Sequence, residues 1–200
     1  MKFHLFFLFI IASFCFSCQN TKKDVIKYDD EIIIPDVVKN RSDENFLQKN
    51  GVLFYNGKKY SGIIIVHYKS GEIKSKSEYF QGKRNGYYNG FYENGNKWFQ
   101  RFYRNNLKIG THKGWYSNKQ QSFIYNFNNN GEYEGSVKEW YKSGQLQKDF
   151  NFEKGKESGS QKMWQTSGKI RANFYTVNGI RHGLIGLKNC ISVTQSENYQ

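Results

Sequence analysis

Four histidines and three cysteines carry the nucleophilic and metal-binding capacity of this chain, and their spacing assigns them no chemistry. His4, His67, His112 and His182 lie 63, 45 and 70 residues apart. No His-Glu-x-x-His string and no Cys/His pairing of a zinc site occurs, and there is no Gly-x-Ser-x-Gly elbow. His67 occupies a slot filled elsewhere by aromatic residues, and His182 falls in a turn. The glycines follow strand turns rather than opening a helix, so they form no phosphate cradle. Glu139 falls opposite Lys148 in the register inferred below, which makes a cross-strand ion pair a better reading than a catalytic acid. These residues predict a chain that is not an enzyme and that needs neither metal nor cofactor.

Binding is better represented. Lys113, Lys138 and Lys162 each stand two residues before an indole, at Trp115, Trp140 and Trp164. Residues i and i+2 of a strand share a face, and equivalent residues two strands apart lie ~9–10 Å from one another. With Trp98 and Arg171 added, the result is a stripe of rings flanked by cations. One reading is a platform for an anionic or sugar-like ligand, or for an acidic protein surface. The other is a solvated face whose lysines cover stacked indoles, each contact worth ~0.5–1 kcal/mol. A net charge of +13 favours acidic partners, although such a balance is also that of an ordinary solvated surface.

Strands must position these groups. A glycine returns at Gly62, Gly86, Gly110, Gly135, Gly159 and Gly183, in steps of 24, 24, 25, 24 and 24. A second set runs at Gly71, Gly95, Gly144 and Gly168, with Lys119 in the remaining place. Self-similarity at a fixed period marks a repeat array. Each unit reads as a strand, a tight turn such as Glu93-Asn94-Gly95-Asn96, and a return strand. Glycine recurs too often for helix, and no apolar period near 3.6 persists. The prediction is all-β: an elongated, twisted, single-layer antiparallel meander of tandem 24-residue hairpins, with both glycine sets marking its bends.

Asn-Gly and Ser-Gly centres predict two-residue hairpin loops. That register would pair Phe91 with Trp98 and Tyr92 with Lys97. It yields one mainly apolar face, carrying Val66, Val137, Phe150 and Phe174, and a second face with the indoles and lysines. The unit containing Lys119 lacks its turn glycine and is one residue longer, which predicts an irregular hairpin at Ser117-Asn118-Lys119-Gln120.

The organisation along the chain follows. Lys2 and the apolar run Leu5 to Phe16 are too short for a bilayer span and fit a signal peptide over residues 1–17. Ser17-Cys18 after that core resembles the lipobox of bacterial lipoproteins, in which the cysteine is lipidated. The resemblance implies Cys18 as the lipidation site, membrane attachment through the N-terminal lipid, and a place in the bacterial cell envelope, at the outer membrane or periplasmic face. Cleavage to a secreted protein is the alternative, and a retained membrane anchor is a further one. Cys15 leaves with the signal peptide, so Cys190 alone remains as a thiol and makes no intramolecular disulfide. Residues 18–50 read as a tether or cap, 51–188 as the array, and 189–200 as a tail. Export disfavours nucleic acid as a partner. An aromatic content of 18% argues against disorder in spite of the low hydropathy.

The string Tyr-x-Asn-Gly-Lys-x-x-Gly, followed by Trp/Tyr-Tyr-x-x-Gly, resembles the MORN-repeat variant. Asn178-Gly179-Ile180-Arg181-His182-Gly183 and Gly82-Lys83-Arg84-Asn85-Gly86 are its copies, and the likeness covers about residues 51 to 188. Lys119, Asn106 and Gln165 depart from it. The resemblance implies a scaffold sheet that contacts protein or lipid, and bacterial members are known as YwqK-type antitoxin components. It brings no catalytic residue. The expected function is therefore an exported, lipid-anchored scaffold that binds a macromolecule, a protein such as a toxin or an acidic envelope component. A lipid- or glycan-binding module and a structural spacer are the alternatives.

Overall fold

Runs of β-branched and aromatic residues, cut every ten or so positions by glycine and asparagine, leave no stretch long enough for a helix. The computed structural model describes residues 32–186, and no helix occurs among them. The signal peptide, Cys18, the first part of the tether, Cys190 and the tail lie outside the described residues.

The described residues form sixteen strands: β1 Val38–Asn40, β2 Phe46–Lys49, β3 Val52–Tyr55, β4 Lys58–Lys59, β5 Gly62–His67, β6 Ile73–Phe80, β7 Lys83–Phe91, β8 Lys97–Arg104, β9 Leu107–Lys108, β10 Gly110–Trp115, β11 Gln121–Phe127, β12 Tyr133–Trp140, β13 Leu146–Glu153, β14 Lys156–Trp164, β15 Ile170–Val177 and β16 Ile180–Leu184. Thirteen of them make one open sheet in the order β1-β5-β6-β7-β8-β10-β11-β12-β13-β14-β15-β16, with β9 on β8. The predicted antiparallel meander is thus observed. Its single parallel element is β1, which lies on β5 with Val38 opposite Ile63.

Residues 46–59 depart from the expectation. They form a separate three-stranded sheet, β2-β3-β4, so folded structure begins upstream of residue 51. Leu53 fixes this sheet to the array by accepting from Tyr60 N and donating to the Gly82 carbonyl, 3.0 and 2.8 Å. Phe46, Leu53, Tyr60 and Ile64 close together as one core cluster. The Tyr60 hydroxyl donates to the carbonyl of Val37, 2.7 Å, and so holds the segment around the only proline. Burial pushes that phenol up to about 12.

Two turn types alternate. Asn56-Gly57, Gln81-Gly82, Asn105-Asn106, Lys154-Gly155 and Asn178-Gly179 have φ of 47–50° and 70–78° in first and second place, the type I′ pattern that matches strand twist. The other turns correct the two-residue loops expected from Asn-Gly and Ser-Gly. Tyr92 N–H donates to the Asn96 carbonyl and Gly95 N–H to the Tyr92 carbonyl, 2.8 and 2.9 Å. Only the third loop residue, Gly95, has positive φ. This is a three-residue loop closed by a left-handed residue, and it recurs at Tyr68, Tyr116, Tyr141 and Gln165. The register moves accordingly. Phe91 faces Lys97, not Trp98, and Trp98 becomes the extra residue of a bulge between Phe91 and Gly90↔Phe99.

The irregular hairpin expected at Lys119 is also corrected. Its loop has the ordinary length, and Lys119 adopts φ 69° where the other units use glycine. The additional residue lies one turn later. Phe127 and Tyr133 are joined through a three-residue loop closed at Gly131, where a two-residue turn would otherwise stand.

The first glycine set lies in strands rather than at bends. Gly86, Gly135 and Gly159 each sit in a wide bulge, where one residue opposes three: Glu78, Asn126 and Asn151 respectively. The single residue clasps the bulge with its own side chain. The Glu78 carboxylate accepts from Tyr87 N, and the amides of Asn126 and Asn151 donate to the Ser136 and Ser160 carbonyls, all at 2.7 Å. Such bulges increase local twist and re-aim side chains. Gly62, Gly110 and Gly183 are strand residues too. Gly71, Gly95, Gly144 and Gly168 are the loop residues expected.

Candidate binding surface

The register aligns one residue from each of twelve strands into a continuous row. It runs Asn40–Ile65–Lys76–Asn89–Gln100–Lys113–Ile124–Lys138–Asp149–Lys162–Asn173–Leu184. Because register partners share a face, all of these residues emerge on the same side of the sheet. The row is mostly amide and ammonium. Lys76, Lys113, Lys138 and Lys162 supply four cations, and Asp149 the one carboxylate. Asp149 stands between Lys138 and Lys162 in the register and meets Lys138 at 3.5 Å, with both side chains partly exposed. That pair contributes at most about 1 kcal/mol.

The sequence-predicted residues divide on this surface. Trp115, Trp140 and Trp164 are half-buried and lie two residues along their strands from Lys113, Lys138 and Lys162, with a register slip just before each indole. Trp98 is not a member. It belongs to the bulge column with Arg171, each the unpaired residue beside a loop. Trp98 is 42% exposed and packs on Phe99 and Tyr92, with ring centroids 5.1 and 5.9 Å apart. Arg171 is exposed.

The opposite face is the core. Two neighbouring rows carry Ile64, Ser77, Phe99, His112, Val137, Phe150, Gln161, Ala172 and Phe174, all buried. Gln161 is 0% exposed, and its amide answers Asn151 on both sides: Oε1 accepts from Asn151 N, 3.2 Å, and Nε2 donates to its carbonyl, 2.7 Å. His112 is 2% exposed, with Nε2 2.8 Å from the Phe102 carbonyl, between Tyr103 and Phe127. Desolvation lowers its pKa to about 4, so it is a neutral core residue at physiological pH. The Glu139–Lys148 pair is present at 3.3 Å in the inferred register, and the Tyr125 hydroxyl donates to the same carboxylate oxygen, 3.0 Å. Desolvation first, then the Glu139 charge, pushes that phenol up.

A ladder that spacing alone did not reveal ties the units together. The hydroxyls of Tyr68, Tyr92, Tyr116 and Tyr141 donate to the carbonyls of Phe91, Trp115, Trp140 and Trp164, at 2.8, 2.9, 2.8 and 3.0 Å. Each loop tyrosine thereby grips the backbone of the residue just before the next loop tyrosine, and Gln165 ends the series. The signal was the aromatic pair ahead of every loop, whose second member is the rung. These bonds fix the backbone that presents the indoles.

Among the described residues no cluster of His, Cys, Asp and Glu could hold a metal ion, and no helix is long and apolar enough to cross a membrane. No protein-family model matches this chain, and no curated protein matches it.

Proposed function

We propose that this chain is an exported, lipid-anchored scaffold whose repeat sheet binds another macromolecule, and that the partner is an acidic protein. The observation that carries the reading is the row of four lysines and four amides across twelve strands, balanced by a single carboxylate. Charges spaced along a sheet face are recognised by a surface, not by a small molecule. The rings of Trp115, Trp140 and Trp164 lie beside that row and supply the aromatic anchors typical of binding hot spots. The resemblance to the MORN-repeat variant supports a scaffold role, and through its bacterial members an antitoxin-like or immunity-like role against a toxin. The lysine row also supports a second reading, contact with an anionic lipid or glycan of the envelope. Cys18 is the proposed lipidation site and the cell envelope the proposed location.

Capture from envelope extract separates these readings. A single protein retained by the wild type and lost with Lys76→Glu plus Lys113→Glu supports protein recognition. Unchanged capture by the double variant removes this face from consideration. Sedimentation with anionic vesicles or acidic polysaccharide, weakening steeply as salt rises, would support the second reading.

A further inference from the structure

The repeat provides its own internal comparison, since equivalent positions of successive units can be set side by side. The left-handed loop position reads Gly71, Gly95, Lys119, Gly144, Gly168. The position opposite the aromatic slot reads Ile73, Lys97, Gln121, Leu146, Ile170. Each column has one cation, and both cations belong to the lining of one depression. Gly95, Asn96, Lys97, Trp115 and Lys119 line a shallow depression of about 300 Å³ at the loop edge of the sheet, between two successive hairpins. None of the five is acidic.

The depression is built rather than incidental. Asn96 Nδ2 donates to the Ser117 carbonyl, 2.9 Å, which joins the two loops. The Tyr92 hydroxyl holds the Trp115 carbonyl, 2.9 Å. Lys97 Nζ rests 5.5 Å from the centre of the Trp115 ring. Lys119 holds φ 69°, a conformation unfavourable for a residue with a Cβ. Glycine would relieve that strain, as it does in the four equivalent loops. Lys119 lines this depression.

From this we infer a ligand site for a carboxylate-bearing sugar, such as a hexuronate unit of an acidic polysaccharide. The indole borders the depression, with Lys97 Nζ over its face, and offers apolar contact to the C–H side of a pyranose ring. Lys97 and Lys119 offer two ammonium groups for its carboxylate, and the Asn96 amide lies at the rim for a hydroxyl. The equivalent clefts lack this set. At the equivalent positions the unit of Phe91 has Glu72 and Ile73, and the units of Trp140 and Trp164 have Gln121 and Leu146 in place of Lys97 and Gly144 and Gly168 in place of Lys119. The site is at the loop edge, apart from the lysine row, so its failure leaves the protein-binding proposal standing.

The test is titration of the mature chain with a glucuronate oligomer, a glucose oligomer of equal length, and inorganic phosphate, followed by indole fluorescence. The expected result is binding of the glucuronate oligomer that is weakened about three- to fivefold by Lys97→Ala or Lys119→Gly, as partly exposed ion pairs allow. Lys119→Gly is the decisive variant, because it should raise the thermal midpoint while lowering affinity, which loss of folding cannot do. Equal binding of the glucose oligomer, binding of phosphate alone, no binding of the glucuronate oligomer, or unchanged affinity in Lys119→Gly would each overturn the assignment.

Discussion

Tyr116→Phe isolates one rung of the tyrosine ladder. The substitution deletes a hydroxyl and keeps the ring, so core volume is unchanged and the lost hydrogen bond dominates. That bond is 2.8 Å long and partly buried. A net intramolecular hydrogen bond of this kind contributes about 0.5–1.5 kcal/mol. The carbonyl of Trp140 would lose this partner at a bulge, where the register slips between Glu139 and Trp140, and the middle of that range, near ~1 kcal/mol, is the expected cost. For a folded unit of this size that corresponds to a fall in Tm of about 2–4 °C. Chemical denaturation and thermal melts of the same samples measure it. Tyr92→Phe combined with Tyr141→Phe should cost about twice as much, because those rungs are separated by a unit and should add. Tyr175→Phe is the control, since that ring is 54% exposed at the surface of β15. If Tyr116→Phe proves no more costly than Tyr175→Phe, the ladder does not couple the units.

Gly114→Ala should destabilise through packing alone, by about 1–3 kcal/mol. Gly114 has an ordinary φ, but an added Cβ would strike the Phe123 ring that lies across it, and the Phe123→Leu partner should restore part of the loss. The buried imidazole of His112 predicts a pH dependence with a definite sign. Its folded pKa, about 4, lies below the unfolded value of 6.5, so the unfolded chain takes up the proton first. Stability is therefore fully present above pH ~7 and declines as pH falls from about 6.5 towards 4, by up to ~3 kcal/mol. In His112→Gln, Tm measured from pH 7.5 to 5 should be markedly flatter than in the wild type. Cys18→Ser should abolish acyl labelling and release the chain from membranes, and labelling that survives it would refute lipidation at that residue. Firm retention of the wild type implies more than one acyl chain.

The strand order was legible because period and turn chemistry are local: glycine and asparagine at fixed spacing announce bends, and consecutive strands then pair with their neighbours. Loop length was not legible, because Asn-Gly and Ser-Gly occur in both two- and three-residue turns. The choice depends on whether the first residue also turns left-handed, and the one-residue error moved Trp98 out of the indole column. Lys119 misled for a related reason. Its missing glycine looked like the cause of the longer unit, but lysine tolerates the strained conformation, and the added residue was accommodated at Asn129-Asn130-Gly131. Glycines such as Gly86 and Gly159 looked like turn residues because they follow the turn closely. Their role as bulges depends on Glu78 and Asn151 in a neighbouring strand, at a separation no local pattern carries. The alignment of Lys113, Lys138 and Lys162 was legible from the repeat spacing. The tyrosine rungs were not, since a hydroxyl reaching the next unit's backbone requires the sheet to exist first.

Everything proposed for the binding surface rests on the register that lines up Lys76, Lys113, Lys138 and Lys162. Nuclear Overhauser contacts across the strands in the isotopically labelled chain measure that register directly. The expected spectrum has cross-strand contacts linking Lys113 with Ile124, Lys138 with Asp149 and Lys162 with Asn173, and places Phe91 opposite Lys97. Contacts that put these lysines one residue out of step with their partners would contradict it and move them to the other face of the sheet.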